Sequence, residues 1–271
     1  MTGIDRPVEL TDWPNEVVTF LGTVNNVWIP AQGVTSTVYA VETARGNYAV
    51  KLAKGTLYSG WLAREYNVLS SLAATQIQTP RPHVYTRRDT ALVPEGWLVM
   101  DFVPGQTLSN VLQQTVDLLT RGILLHDFGH ALAELHSTPA PKGLPVSGAD
   151  WLGEKLDEAS ENLDRYKVDG TAELLAQLRQ DRLAAITPAL IHGDCTIDNV
   201  LVGGSRISSF IDWAGGAMGD RRYDLALATR PRREAFSARR ASDLRAFYEG
   251  YGAASITQSE YDYFNRLYEF F

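Results

Sequence analysis

Cysteine is almost missing from this 271-residue chain: Cys195 is the only one. One thiol excludes an intramolecular disulfide framework and a multi-cysteine zinc site, and it suits a reducing compartment. Long apolar runs are missing as well. No stretch of about 18 apolar residues occurs, so no membrane-spanning helix is expected. Residues 1–12 carry Asp5, Glu9 and Asp12 and no apolar stretch, which is not the pattern of a signal peptide. Positive charge is also in deficit, with 25 Lys and Arg against 32 Asp and Glu and a net charge of −7. Neutralising a phosphate backbone takes clustered basic residues, so general nucleic-acid binding is not expected either. The expectation is a cytoplasmic protein, a monomer or weak homo-oligomer, with neither membrane nor nucleic acid as partner.

What is present suffices for a globular core, since 45% of the residues are apolar. The first hundred residues read as strands. Thr37–Glu42 and Asn47–Leu52 alternate with period two around Ala44-Arg45-Gly46, the signature of a hairpin. Leu62, Tyr66, Leu69 and Leu72 then fall at helical spacing. The apolar strand Trp97–Met100 runs into Pro104-Gly105, a breaker pair that places a boundary between residues 1–103 and 104–271. Beyond it the pattern turns helical. Ile123, Leu124, Phe128, Ala131, Leu132 and Leu135 suggest one apolar face, and further helices are expected within 151–166, 171–186 and 242–252. A last helix opens on the capping box Thr257-x-x-Glu260 and is expected to bury Tyr261, Phe264, Leu267 and Tyr268. One short strand pair, Asn199–Val202 and Ile207–Asp212, interrupts the helices. The fold class is therefore α+β, a small β-rich lobe followed by a larger helical one.

The chemistry concentrates in His192-Gly193-Asp194-x-x-x-x-Asn199 and Ile211-Asp212-Trp213. A strand hairpin can bring Asp194, Asn199 and Asp212 to one point. Phosphoryl transfer needs such a set: a carboxylate to take the proton of the attacking hydroxyl, and oxygen ligands for Mg²⁺. Asp194 is the expected base, Asn199 and Asp212 the expected metal ligands. Upstream, Lys51 stands in a strand where a kinase lysine grips the α- and β-phosphates, and Glu65 in the next helix is placed to pair with it. Three other features carry less. Asp127-Phe128-Gly129 reads as helix surface around a core Phe. His126 and His130 lack the glutamate of a zinc helix. Arg230, Arg232, Arg233, Arg239 and Arg240 read as a solvated face. His192 and Asp224 read as residues that fix the loop, and Cys195 as loop packing.

With these motifs, and with Trp97–Gln106, Phe210–Asp212, Gly219–Arg230 and Tyr268–Phe271, the chain resembles the kinase-like antibiotic phosphotransferases. These form the aminoglycoside phosphotransferase and choline kinase superfamily, and the likeness is to its kanamycin/neomycin 3′-phosphotransferase branch. The resemblance implies a bilobal protein-kinase-like fold with ATP in the cleft. It implies adenine contacts from the backbone of Asp101 and Val103, and phosphate cover from the loop Gln32–Thr37, Thr35 and Ser36 included. It implies that the substrate is held by Glu234, by Glu269 and by Phe271 with its terminal carboxylate. A small-molecule hydroxyl acceptor, cationic and aminoglycoside-like, and a role in antibiotic resistance follow by the same route. Eight acids against three bases over residues 150–173 agree with a cationic acceptor. The pattern departs from the family at Gly215, Pro231 and Tyr268, where arginine, aspartate and aspartate are expected, and in a shortened acidic insertion near Lys167–Glu173. The alternatives are a small-metabolite kinase of choline, homoserine or fructosamine type, and a silent nucleotide-binding module.

Overall fold

The structure, a computed structural model, describes residues 12–30, 35–115, 117–144, 150–231 and 241–271. It divides into two units. The first runs to Ala74, resumes over Gln78–Pro104 and takes in Asp212–Ala214; the second holds Thr75–Ile77, Gly105–Ile211 and Gly215–Phe271.

The first unit is a five-stranded antiparallel sheet with a helix on each face. Its elements are α1 (Asn15–Leu21), β1 (Val24–Trp28), β2 (Thr37–Thr43), β3 (Gly46–Lys54), α2 (Thr56–Leu72), β4 (Pro82–Asp89) and β5 (Pro94–Asp101), with strand order β1-β2-β3-β5-β4. Period two divides β3 between the faces. Val50 and Leu52 pack with Trp97, Val99, Trp13, Val17 and Leu21, so this face is closed by α1. Lys51 points the other way, toward α2, whose Leu62, Glu65, Val68, Leu69 and Leu72 are buried. Close approach of α2 to the sheet depends on Gly96, where a Cβ would sit 3.2 Å from the Ser59 Cα. The hairpin β2–β3 turns at the expected place, pairing Thr43 with Gly46. The sequence reading lacks α1, β1 and β4: the helix has only seven residues, and the two strands are sheet edges of mostly part-exposed residues.

The second unit comprises β6 (Gln106–Thr107), α3 (Leu108–Gln114), α4 (Leu118–Ser137), α5 (Trp151–Arg165), α6 (Ala172–Gln180), β7 (Ala189–Ile191), β8 (Val200–Gly203), β9 (Arg206–Phe210), β10 (Ala217–Gly219), α7 (Arg221–Ala228), α8 (Ala241–Tyr251) and α9 (Gln258–Leu267). Where one strand pair was expected, two small sheets occur, β6-β8-β9 and β10-β7. Thr107, Asp117, Asp150, Thr171, Asp220 and Thr257 each cap a helix by accepting a backbone N–H, at about 1 kcal/mol apiece. The Thr257–Glu260 capping box forms in full. One core gathers Trp151, Leu156, Leu178, Tyr223, Phe264 and Phe270, each large side chain contributing about 1.5–3 kcal/mol by burial. Tyr268 lies at the edge of that core, half-buried.

Helices α4 and α8 meet through glycine on both sides. A Cβ on Gly129 would lie 2.0 Å from the Phe247 carbonyl oxygen, and one on Gly250 would lie 1.9 Å from that of His126. Beside this contact Arg121 of α4 is sealed against Asp243 of α8, its Nη2 2.7 Å from Oδ2, and its Nη1 donates to the Leu112 carbonyl at 3.0 Å. Phe128 is fully buried. Ile123 is not part of the buried face but is 51% exposed. At 100° per residue it points away from the stripe formed by Leu124, Leu125, Phe128, Leu132 and Leu135. Among the described residues no helix is long and apolar enough to cross a membrane.

Gly250→Ala should destabilise by about 1–2 kcal/mol, because steric overlap outweighs the roughly 1 kcal/mol gained in helix propensity. Thermal unfolding checks it through a midpoint lowered by a few degrees. Asp243→Ala strands a buried guanidinium and should cost about 3–5 kcal/mol in urea unfolding, whereas the double replacement Arg121→Met/Asp243→Leu should recover most of that loss.

Candidate active site

The polar residues of interest fall in two clusters, one in each unit. In the first unit, Lys51 is 6% and Glu65 4% exposed. Strand alternation and the packing of α2 bring them together, with Lys51 Nζ 2.7 Å from Glu65 Oε1 and 3.0 Å from Oε2. The same ammonium donates to Asp212 Oδ1. Burial by itself would depress the Lys51 ammonium, but Asp212 and Glu65 more than offset it and hold its pKa above the ordinary lysine range. Lys51 is thus a permanent cation held between two carboxylates. Asp212 adopts a left-handed backbone, φ 64°, and its side chain is 48% exposed. Aspartate tolerates that conformation better than most residues, and strain of this kind gathers at functional sites.

The proposed adenine contacts also lie in this unit. The Asp101 N–H is spent on the Arg81 carbonyl at 2.9 Å, and its side chain meets His83 Nε2 at 2.6 Å. A ligand would therefore have to use the Asp101 carbonyl. Val103 is half-buried, Ser36 likewise, and Thr35 is exposed just before β2. Gln32, Gly33 and Val34 lie outside the described residues.

In the second unit, the loop from His192 to Asn199 is organised by a buried acid. Asp224 of α7, fully buried, accepts the His192 N–H at 2.6 Å and the Gly193 N–H at 2.9 Å, and His136 Nε2 lies 3.2 Å from it. His192 Nδ1 accepts the Asp194 N–H at 3.2 Å, which leaves Nε2 as donor to the Ile211 carbonyl at 2.8 Å. This histidine is committed to holding the loop. Gly193 has φ +78°, and a Cβ on it would lie 2.1 Å from the Gly215 carbonyl oxygen. A Cβ on Gly215 would meet the Gly193 carbonyl carbon at 2.9 Å. The two backbones touch here, so a side chain at Gly215 would crowd Gly193.

These restraints deliver Asp194, half-buried, with Asn199 Nδ2 donating to its carbonyl and to its Oδ2, both at 2.8 Å. The Tyr268 hydroxyl donates to Oδ1 at 2.7 Å. Since the Asn199 nitrogen is taken, the atom it can give a cation is its side-chain oxygen. Cys195 is buried, and burial, then Asp224 and Asp194, push its thiol well above the ordinary range, so it is no nucleophile. Among the described residues no group of three or more His, Cys, Asp or Glu side chains could hold a metal ion. His126 and His130 are exposed, and His130 sits 3.8 Å from Glu134.

The expected substrate residues fare differently. Glu234 lies outside the described residues, with Arg232, Arg233, Arg239 and Arg240. The Glu269 carbonyl accepts the N–H groups of Asp169 and Gly170, at 3.1 and 3.0 Å. Lys155 Nζ stands 3.9 Å above the Phe271 ring, and Asn162 Nδ2 donates to the Phe270 carbonyl at 3.0 Å. The acidic surplus of residues 150–173 is partly neutralised in space. Arg182 pairs with Asp150, Arg179 with Asp157 at 2.9 Å, Lys155 with Glu158 at 2.9 Å, and Arg165 with Glu161 at 3.5 Å. Two of these bases lie outside the segment, so its sequence charge overstates its field. Asp220, without a role in the sequence reading, caps α7 and grips Arg222 at 2.6 Å. In the sequence Tyr268 reads as a core residue of the last helix and as a position that lacks an acid, with nothing to point to its contact with Asp194.

Known phosphotransferases are similar to this chain in sequence and in fold. The model of the phosphotransferase enzyme family matches residues 29–262. Among curated relatives, an aminoglycoside 3′-phosphotransferase of Niallia circulans is 26% identical, covering 96% of this chain and 98% of that protein. A homoserine kinase of Neisseria meningitidis serogroup B is also 26% identical, over 86% of this chain and 76% of its own. Among solved structures, an aminoglycoside 3′-phosphotransferase of type VIII aligns with a TM-score of 0.69 at 24% identity, over 92% of this chain and 93% of that one. A macrolide 2′-phosphotransferase from Brachybacterium faecium aligns at 0.59 and 18%, over 93% and 86%. A kinase-like α+β fold, a buried Lys–Glu pair and a braced aspartate loop thus coincide with a match over most of the sequence, and the chain belongs to the phosphotransferase enzyme family.

Proposed function

We propose that this phosphotransferase moves the γ-phosphoryl group of ATP to a hydroxyl of a small acceptor, with Asp194 as the base. The observation that carries the reading is the bracing of Asp194: its loop is held by Asp224 and His192, and its carboxylate is oriented by Asn199 at 2.8 Å. In this reading the acceptor oxygen attacks the γ-phosphorus, its proton passes to Asp194, and the bond to the bridging oxygen breaks to release ADP. Lys51, fixed by Glu65, binds phosphate oxygens. Val103 and the Asp101 carbonyl hold adenine, and Thr35 and Ser36 cover the phosphates. Asn199 and Asp212 offer the hard oxygen donors that Mg²⁺ takes together with phosphate. When bound, Mg²⁺ would offset charge on the triphosphate. The protein acts in the cytoplasm.

For the acceptor, the reading supported first is a cationic, aminoglycoside-like molecule, with Glu234, Glu269 and the residues around Phe271 as its contacts and antibiotic resistance as the outcome. In its support stand the acids of α5 and the full-length match to an aminoglycoside 3′-phosphotransferase. One observation favours a metabolite alcohol of homoserine type instead. Four acids of residues 150–173 already hold basic partners, and homoserine kinases are matched at similar identity.

An ADP-release assay over aminoglycosides, amino alcohols and hydroxy-amino acids separates the two readings, and unchanged aminoglycoside tolerance in cells would count against the first. Asp194→Asn should lower turnover by about 10²–10⁴-fold, while retained turnover removes Asp194 as base. Lys51→Met should lower kcat/KM for ATP by on the order of 10²-fold with the far-ultraviolet circular dichroism preserved.

A further inference from the structure

Both carboxylate oxygens of Asp194 meet a donor from their own unit. Asn199 Nδ2 serves Oδ2 at 2.8 Å, and the Tyr268 hydroxyl serves Oδ1 at 2.7 Å. The second contact is a short hydroxyl-to-carboxylate bond, of the charge-assisted kind. It is also the contact that a general base must make with an alcohol it will deprotonate, a hydroxyl donating from about 2.6–3.2 Å. Tyr268 therefore stands where an acceptor hydroxyl is expected.

Its ring is held in that place from several sides. Tyr268 begins the 3-10 turn that continues α9, and its neighbour Leu267 is fully buried. The ring lies 6.4 Å from that of Tyr223, itself 1% exposed, and the Arg230 guanidinium lies 5.0 Å from its centroid. The hydroxyl is thus brought to Oδ1 by packing and needs no ligand to bring it.

We infer that Tyr268 is a positioning and specificity-determining residue: its hydroxyl fills the acceptor place on Asp194 Oδ1, keeps water from it, and yields only to an acceptor alcohol. The inference rests on the reading of Asp194 as base. Water is the nucleophile every kinase must exclude. Were it to reach Oδ1, its oxygen would attack the γ-phosphorus, a proton would pass to Asp194, and ADP and inorganic phosphate would leave. A resident phenol blocks that route, because its ring is held back while its hydroxyl takes up the carboxylate oxygen. An acceptor must then replace a charge-assisted hydrogen bond, so Tyr268 also selects for alcohols that gain binding energy elsewhere in their site.

The test uses the full chain, ATP and MgCl₂ with no acceptor present, and reads ADP release. Tyr268→Phe keeps the ring against Tyr223 and Arg230 but removes the hydroxyl, and should raise acceptor-free ADP release about tenfold, the effect of one charge-assisted hydrogen bond. The double variant Asp194→Asn/Tyr268→Phe should lose that rise. Should Tyr268→Phe not fold, as judged by its thermal midpoint, Tyr268→Leu is the second variant and should show the same rise. ADP release at or below the wild-type rate in a folded variant overturns the inference, as does a rise that survives in the double variant. Failure of the underlying reading looks different: Asp194→Asn alone would then retain acceptor-dependent turnover.

Discussion

The fully buried carboxylate of Asp224 accepts the backbone N–H groups of His192 and Gly193 and lies within reach of His136, so α7, α4 and the loop bearing Asp194 share one charge. In that dry setting each hydrogen bond is electrostatically strong, and removing the acid would leave two amides without a partner. The geometry of Asp194 follows from this constraint. Once His192 is fixed, its ring can receive the Asp194 N–H and hold the Ile211 carbonyl. Ile211 in turn donates to the Asn199 carbonyl at 2.9 Å. The order of dependence runs from the fully buried acid Asp224 to the half-buried Asp194.

The first unit follows a comparable logic with the opposite sign. Lys51 is the buried charge there, held by Glu65 from α2 and by Asp212. Removing it from water is costly, and two carboxylates offset the cost. Period-two alternation in β3 separates it from Val50 and Leu52, which close the other face. The same alternation that builds the core thus aims the cation away from it.

Much of this was legible in the sequence where the signal is local. The β2–β3 hairpin, the helix after it, the Thr257–Glu260 box and the β8–β9 pair all announce themselves within ten or twenty residues, through alternation, turn glycines and capping side chains. The pairing of Lys51 with Glu65 follows from a strand and the next helix. What the sequence hid is either short or distant. Strands β7 and β10 have three residues each, too few to show a period. Arg121 and Asp243 are 122 positions apart, and Tyr268 and Asp194 are 74 apart. The charge of residues 150–173 misled for the same reason, because Arg179 and Arg182 reach it only in three dimensions.

The contact of Gly193 with Gly215 has a bearing on how such a protein changes over time. Two backbones in direct touch leave no side chain to trim or enlarge. A side chain at Gly193 or Gly215 would have to push the two backbones apart, so change at either position shifts the loop that carries Asp194. A side chain that projects from an element already secured, as Tyr268 does, can be exchanged without moving that backbone. In the reading proposed above, a backbone fixed by glycines and an acceptor place filled by an exchangeable side chain can drift at separate rates.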